Sequence, residues 1–426
     1  MITYYWPPCG GVPVQRWLKL SRGLLRIGWQ ATILTTENGD YPYLDESQID
    51  KYPREINVCR AHTPSYKKLF WLLLGKSESL PSASLKTTHN DTLIKRIVFW
   101  GRRNFIAPDM RRIWNSNAYK AAKELLKKDK FEAIITTGPP HSTHLIGMQI
   151  KKKFGLKWIA DFRDPWTNIT YNANEKRNFI IKYLDAKYER KVLTKADVVV
   201  TVSDVFSQNL SIGKRMTIPN AFDPEEFAHI IYKRSDVFRI KYIGTLPEGR
   251  MKPALEAVNW LLEYNQRRGI NRNIEITFVG TFQNESLEFK EKIINIPFVE
   301  YHKALEHTVN SEILLLFINR EKKNTGILTH KLYDYIGSKT FIIAVGPKNT
   351  ELEAILKNSQ AGVLIDYHEK DKFMEVLDDI YQKWCKGDDL KNKNDVSEYS
   401  VINSAEKYED ILLQTSCPAP CRAIQR

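Results

Sequence analysis

TTGPPHSTHLIGMQIKKKFGLKWIADFRDPW, residues 136–166, spells out one complete repeat of a folding pattern. It reads as strand, Gly-Pro-Pro turn, helix and strand, closing on a charged cluster, Asp161, Arg163 and Asp164, at the second strand's C-terminal end. Both strands are near-continuous apolar runs rather than alternating ones. Such runs belong to a parallel sheet buried by helices on both faces.

The same kind of run recurs on either side. QATILTT (30–36), DVVVTVS (197–203) and RMTIPN (215–220) extend the series in the first half. VFRIKYIGT (237–245), NIEITFVGT (273–281), EILLLFI (312–318), TFIIAVG (340–346) and AGVLID (361–366) repeat it in the second. Two doubly wound α/β domains follow. The break falls after IPNAFDPEEF, where Pro219, Pro224 and the polar stretch 232–236 interrupt the series, so the domains are expected at 1–231 and 232–396. A C-terminal helix is expected within 397–415, around Val401 to Leu413, followed by a disordered tail over 416–426.

A chain of 426 residues with 42% hydrophobic and 27% charged residues has an ordinary globular composition, which excludes disordered, collagen-like and coiled-coil classes. No apolar run reaches the ~20 residues needed to span a bilayer. The N-terminus shows no signal peptide, and five scattered cysteines build neither a disulfide framework nor a metal pair, so a cytoplasmic protein is expected. Only Met1 to Tyr5 precede the first Pro-Pro turn, short for a central strand, which suggests that the start is truncated.

The net charge of +14 is localised, since residues 60–130 carry 16 Lys or Arg against 5 Asp or Glu. The stretch 40–130 departs from the strand-helix alternation and reads as a basic, aromatic insertion of short helices. Three readings compete. The basic residues are solvated faces over ordinary core helices, or Phe70, Trp71, Leu72, Phe99, Trp100 and Trp114 enter the headgroup layer of an anionic membrane, or the patch binds nucleic acid. The last ranks below the others because no nucleic-acid-binding motif accompanies the charge, and no nucleic-acid partner is expected.

Several residues fall where ligands bind in such sheets, at strand C-terminal ends. Gly10 and Gly11 precede a helix pattern running from Val14 to Ile27; they form an anion seat at a helix N-terminus or a mere turn. Asp164, followed by Pro165, is a site carboxylate or an ordinary turn, and Arg163 is a site cation or the ion-pair partner of Asp161 or Asp164. His141, just after Pro140, is a catalyst or a polar residue of the cap region. In the second half Gly244 ends a strand and Arg250 stands near the next helix start. A helix beginning near Thr329 carries Lys331 in its first turn, where ammonium and free N–H groups would meet a phosphate. Asp334, on a neighbouring face, suits ribose hydroxyls; the alternative is a solvated Lys and Asp on an amphipathic helix.

Taken in order, YYWPPCGGVPVQRW, TTGPPHSTHLIG, ADFRDPW, VTVS, IPNAFDPEEF, IGTLPEGR and HKLYDYIGSK resemble the retaining glycosyltransferases of family 4 over nearly the whole chain. That resemblance implies the GT-B architecture, two Rossmann-like doubly wound parallel-sheet domains facing across a cleft. The first would receive the acceptor, the second would hold a nucleotide-sugar donor, and the C-terminal helix would cross back to the first. It further implies a metal-independent, hexosyltransferase-like enzyme of polysaccharide biosynthesis. Its co-substrate would be a nucleotide sugar and its acceptor a glycan or lipid-linked sugar, with peripheral attachment to the inner face of the membrane. Arg163, Asp164 and His141 would be catalytic, and Gly10, Gly11, Arg250, Lys331 and Asp334 would hold the nucleotide. The family's paired glutamates appear here as Gly326 and Asp334, the arginine after the first C-domain strand is Thr245, and the position often held by a catalytic histidine is Arg163. No D-x-D metal motif is present, and no metal is expected. A sugar-nucleotide 2-epimerase and a non-catalytic sugar-nucleotide or membrane-binding protein are the competing readings.

Overall fold

The structure is a computed structural model describing residues 1–41, 44–64, 104, 106–167, 177–210, 212–266, 273–280, 293–320, 326 and 328–414. Its described residues fall into two compact units. Unit 1 comprises Met1–Val202, Phe206–Ile218 and Ser404–Arg426, and unit 2 comprises Ser203–Val205 and Pro219–Asn403. Phe70, Trp71, Leu72, Phe99, Trp100, Cys417, Cys421 and the tail 416–426 lie outside the described residues.

Ile2 is the hinge of the unit 1 sheet. Its N–H donates to the Ile135 carbonyl (2.8 Å), its carbonyl accepts from Thr137 (3.3 Å), and the Thr3 N–H donates to Leu34 (3.0 Å). It therefore bridges β1 (Thr32–Thr36) and β3 (Ala133–Gly138), each in parallel. Beyond β1 lies β2 (Asn57–Ala61); beyond β3 follow β4 (Lys157–Phe162), β5 (Val198–Thr201) and β6 (Arg215–Thr217). The strands are parallel and the order β2-β1-Ile2-β3-β4-β5-β6 reverses direction beside the N-terminal segment. The crossovers use α1 (Val12–Arg26), α2 (Asn115–Lys128), α3 (Ser142–Phe154), α4 (Phe179–Lys195) and the short α5 (Asp204–Asn209).

Two features of the 40–130 stretch differ from expectation. Asn57–Ala61 is a strand, hidden from sequence reading because it lies at the sheet edge, where its half-exposed, polar residues break the apolar run. Trp114 does not reach outward to lipid. It is 1% exposed, its indole N–H donates to the Ala61 carbonyl (3.2 Å), and it packs in the unit 1 core. The helix it introduces, α2, buries Ala118 and Ala122 and exposes Lys120, Lys127 and Lys128, a solvated basic face over ordinary core.

Unit 2 repeats the plan. Its strands are β7 (Phe238–Ile243), β8 (Ile274–Val279), β9 (Ile294–Ile296), β10 (Ile313–Phe317), β11 (Phe341–Val345) and β12 (Gly362–Ile365). Their parallel order is β12-β11-β10-β7-β8-β9, with the reversal between β7 and β10. After the short α6 (Pro224–Phe227) come α7 (Glu248–Gln266), α8 (Tyr301–Val309), α9 (His330–Gly337), α10 (Glu351–Ser359) and α11 (Lys370–Lys386); α12 (Val401–Leu413) begins in unit 2 and belongs to unit 1 from Ser404 onward. Alternate residues of β10 serve two cores. Ile313, Leu315 and Phe317 pack with α7 and α11, and Leu314 and Leu316 pack with α9 and α10. This explains why its sequence is apolar throughout.

The polar anchor of unit 1 is Asp161, fully buried on β4. Its two oxygens take the Arg16 guanidinium (2.9 Å from Nη2), the Trp17 indole N–H (2.7 Å) and the Thr137 (2.8 Å) and Tyr408 (2.8 Å) hydroxyls. Burial alone would push this carboxyl up; the Arg16 charge and the neutral donors more than offset it and hold the group below its ordinary value. Arg16, 2% exposed, also donates to the Ile218 carbonyl (2.8 Å). Leaving one partner of a buried ion pair uncompensated typically costs ~3–5 kcal/mol. Asp161→Asn is therefore expected to lower the urea-unfolding free energy of unit 1 by about that much; a loss under ~1 kcal/mol would show that Arg16 finds other compensation.

Candidate functional site

In open α/β sheets ligands bind at the C-terminal ends of the strands where the strand order reverses. Unit 2 places Gly244 at the end of β7 and Gly280 at the end of β8, with φ of +106° and +119°. Both lie in the left-handed region that favours glycine. The glycines are also close-packed. A Cβ on Gly244 would lie 2.7 Å from Lys331 Cε, and one on Gly280 would lie 2.8 Å from the Gly244 carbonyl carbon. The bare backbone admits Lys331, from the first turn of α9, over the strand end.

Lys331 Nζ sits 4.0 Å from the centroid of the Tyr242 ring, donates to the Tyr242 hydroxyl (2.6 Å) and reaches the Thr245 carbonyl (3.3 Å). Arg250, in the first turn of α7, is near enough for its charge to act on the Tyr242 hydroxyl, opposing the rise in its pKa that burial causes. Neither cation meets a carboxylate among the described residues. Burial, reinforced by the positive charge of Arg250, holds the Lys331 ammonium well below its ordinary pKa. Beside them, at the N-terminus of α9, Thr329 Oγ1 and His330 Nε2 are buried without a hydrogen-bond partner. Two cations at the end of β7 and the positive end of α9 make a local chemistry that suits an anion.

Asp334 turns away from this group. It accepts from the Tyr301 hydroxyl (3.1 Å), which also reaches Glu226 (3.2 Å), and lies 3.5 Å from His330 Nδ1. Lys331 and Asp334 therefore serve different sides of α9, one toward β7 and the other toward α8. Gly326 has a steric reason for carrying no side chain, because a Cβ there would lie 2.9 Å from Val205 Cγ1.

At the matching edge of unit 1, Arg163 is a strap. Its Nη1 donates to the Pro13 carbonyl (2.6 Å), its Nη2 to Pro139, and its Nε to Gly138 (3.4 Å). It ties the entry of α1 to the Gly-Pro-Pro turn and makes no ion pair with Asp161, whose partner is Arg16. Gly11 caps α1 with φ of +79°, and Gly10 packs so closely on Asp45 that a Cβ would lie 2.7 Å from its Cβ. Asp164 accepts no hydrogen bond among the described residues, and burial raises its carboxyl, opposed by the charge of Arg163.

His141, at the N-cap of α3, is 6% exposed, stacks on Trp166 with centroids 5.0 Å apart, and has neither ring nitrogen in a well-formed hydrogen bond. His144 stacks on Phe162 at 4.5 Å. The Thr136 hydroxyl accepts from the Trp158 indole (2.8 Å) and shares a hydrogen bond with His144 Nδ1 (2.9 Å). Gly138 lacks a Cβ because both imidazoles occupy its place, at 2.7 and 2.9 Å.

No family profile matches the sequence. No relative of known function matches it by sequence. The likeness is to solved structures. The chain superposes on a variant of S. aureus TarM in complex with fondaparinux, α-GlcNAc-glycerol and UDP with a TM-score of 0.60 at 10% identity, covering 97% of this chain and 99% of that one. It matches sucrose-phosphate synthase from Thermosynechococcus elongatus with a TM-score of 0.58 at 12% identity, covering 97% and 96%. WaaG, a glycosyltransferase involved in lipopolysaccharide biosynthesis, gives 0.54 at 10% identity, covering 97% and 99%. At such identities the likeness is one of fold, and the fold is GT-B, with two Rossmann-like parallel-sheet units.

The imidazoles of His141 and His144 are held neutral. Burial lowers both, His144 to about 3, and for His141 the charges of His144 and Arg163 act in the same direction. A histidine depressed in the folded state stabilises the protein above its unfolded pKa of about 6.5, and that stability drains as pH falls toward the folded value, by ~1.4 kcal/mol per unit. His144→Gln is expected to flatten the fall in melting temperature between about pH 6.5 and 4 relative to wild type; parallel curves would mean that His144 titrates normally.

Proposed function

We propose that this chain is a glycosyltransferase that moves a sugar from a nucleotide-sugar donor to a hydroxyl of a glycan or lipid-linked acceptor. The observation that carries the reading is the pair Arg250 and Lys331, two cations without a carboxylate partner among the described residues, beside the orphaned Thr329 Oγ1 and His330 Nε2. A nucleoside diphosphate supplies the counter-charge that the two cations lack. Its negative charge neutralises the two cations, and its oxygens accept from the free N–H groups of α9.

The same arrangement suits the reaction. Breaking the sugar–phosphate bond leaves a diphosphate whose charge grows toward the transition state, and cations already fixed in place stabilise it without reorganising. We assign that role to Arg250, Lys331 and the α9 N-terminus, in place of a metal ion, with retention at the anomeric carbon as in the family that the sequence resembles. Unit 1 is assigned the acceptor, with Asp164 and His141 at the edge that Arg163 organises. Tyr301 and His330 hold Asp334, which we assign to donor hydroxyls.

Incubation with a panel of nucleotide sugars tests the activity. Free nucleoside diphosphate marks transfer, an isomeric sugar nucleotide marks epimerisation, and neither product marks binding alone. Arg250→Ala is expected to lower turnover by roughly two to three orders of magnitude, the usual cost of one such electrostatic contact; a rate within about fivefold of wild type would remove Arg250 from the site. Lys331→Met separates binding from folding. Because the ammonium is destabilised in the free protein, the variant is expected to keep or raise the melting temperature while losing most of its affinity for the tightest of UDP, GDP and ADP. A lower melting temperature with unchanged affinity would make Lys331 a structural residue.

A further inference from the structure

We infer that α4 of unit 1, Phe179–Lys195, is a docking helix that lies on an anionic lipid surface. Its first two turns point three large apolar side chains into solvent, with Phe179 80%, Ile180 53% and Tyr183 64% exposed. The opposite face is already committed to the core through Ile181, Val192 and Leu193. The outward apolar residues are therefore surplus to folding and form one contiguous tip, since positions three and four apart share a helix face.

Lys182 flanks the tip, and behind it the helix carries Lys187, Arg190, Lys191 and Lys195, all exposed. Both acids of the helix are turned away from them. Asp185 receives the Arg177 guanidinium, and Glu189 receives the Thr167 hydroxyl and N–H. The exposed face is purely cationic, and the positive N-terminal end of the helix dipole adds to it at the apolar tip. Lys187 Nζ lies 5.7 Å from the Tyr183 ring centroid, an ammonium kept beside an aromatic that sits well at a headgroup boundary.

This chemistry selects lipid over other anionic partners. Lysine is depleted in protein interfaces and is a hydrated point charge rather than a bidentate fork, which suits the diffuse field of a leaflet. Nucleic acid would satisfy the cations but leave the isoleucine without a stacking surface. An apolar tip followed by a cationic face is the pattern of an interfacial helix. The inference shares no residue with the basic stretch 60–130. It deepens the reading of a lipid-linked acceptor and rests on that reading for why the protein would visit a membrane.

Sedimentation of the full chain with vesicles of equimolar phosphatidylcholine and phosphatidylglycerol, against phosphatidylcholine alone, tests it. Wild type is expected to partition to the anionic vesicles and to be released by salt. Lys182→Glu combined with Lys187→Glu and Lys191→Glu is expected to lower the partition coefficient at least about tenfold. Phe179→Ser with Ile180→Ser and Tyr183→Ser should lower it several-fold, with the circular dichroism of both variants unchanged. Binding of both variants at the wild-type level, equal or no partition of wild type to the two vesicle types, or a wild-type dimer that the apolar variant splits would overturn the inference. No nucleotide is present, so a failure of vesicle binding leaves the donor reading intact, and a failure of nucleotide binding leaves the vesicle result intact.

Discussion

A single buried carboxylate holds unit 1 together across its sequence. Asp161 collects donors from α1 (Arg16 and Trp17), from β3 (Thr137) and from α12 (Tyr408), and Arg16 carries the link on to the carbonyl that ends the β6 connection at Ile218. Hydrophobic packing is tolerant of small shifts, but a charge taken wholly out of water is not. The network therefore fixes where the first helix and the last helix sit on the sheet. That placement in turn sets the strand ends around Gly138 and Arg163.

Both units reach their candidate chemistry by the same route. The strand order reverses beside the first strand of each, leaving room at the C-terminal edge that no crossover helix fills. Glycines then decide what enters. At Gly244 the missing Cβ admits a lysine, and at Gly138 it admits two imidazoles. The consequences differ. In unit 2 the admitted groups are cations left without counter-charge among the described residues, a poor arrangement for stability and a good one for binding an anion. In unit 1 they are neutral rings stacked on Phe162 and Trp166, and the neighbouring cation, Arg163, is spent on carbonyls as a strap.

Surface charge follows a similar division of labour. Residues 60–130 hold most of the basic excess, yet their described helix α2 is an ordinary amphipathic element with lysines in solvent. An exposed surface that combines charge with apolar side chains is on α4, whose composition is unremarkable in sequence because its two acids cancel part of the charge on paper. Only their inward orientation, toward Arg177 and Thr167, leaves the outer face cationic.

The sequence by itself determined the class of fold and the position of almost every central strand, because a strand buried on both faces must be apolar at every position and so cannot hide. It also placed Lys331, Arg250 and the glycine turns at strand ends, since turn chemistry and helix starts are local. Strands at sheet edges, β2 and β9, escaped it, one half-exposed and polar and the other three residues long. Tertiary structure alone decided the partners. That Arg16 rather than Arg163 pairs with Asp161, that Trp114 faces inward, and that Asp334 turns to Tyr301 while Lys331 turns to Tyr242 all depend on contacts between residues far apart in the chain. Local periodicity assigns a side chain to a face of its element; what that face meets is settled only when the whole sheet has assembled.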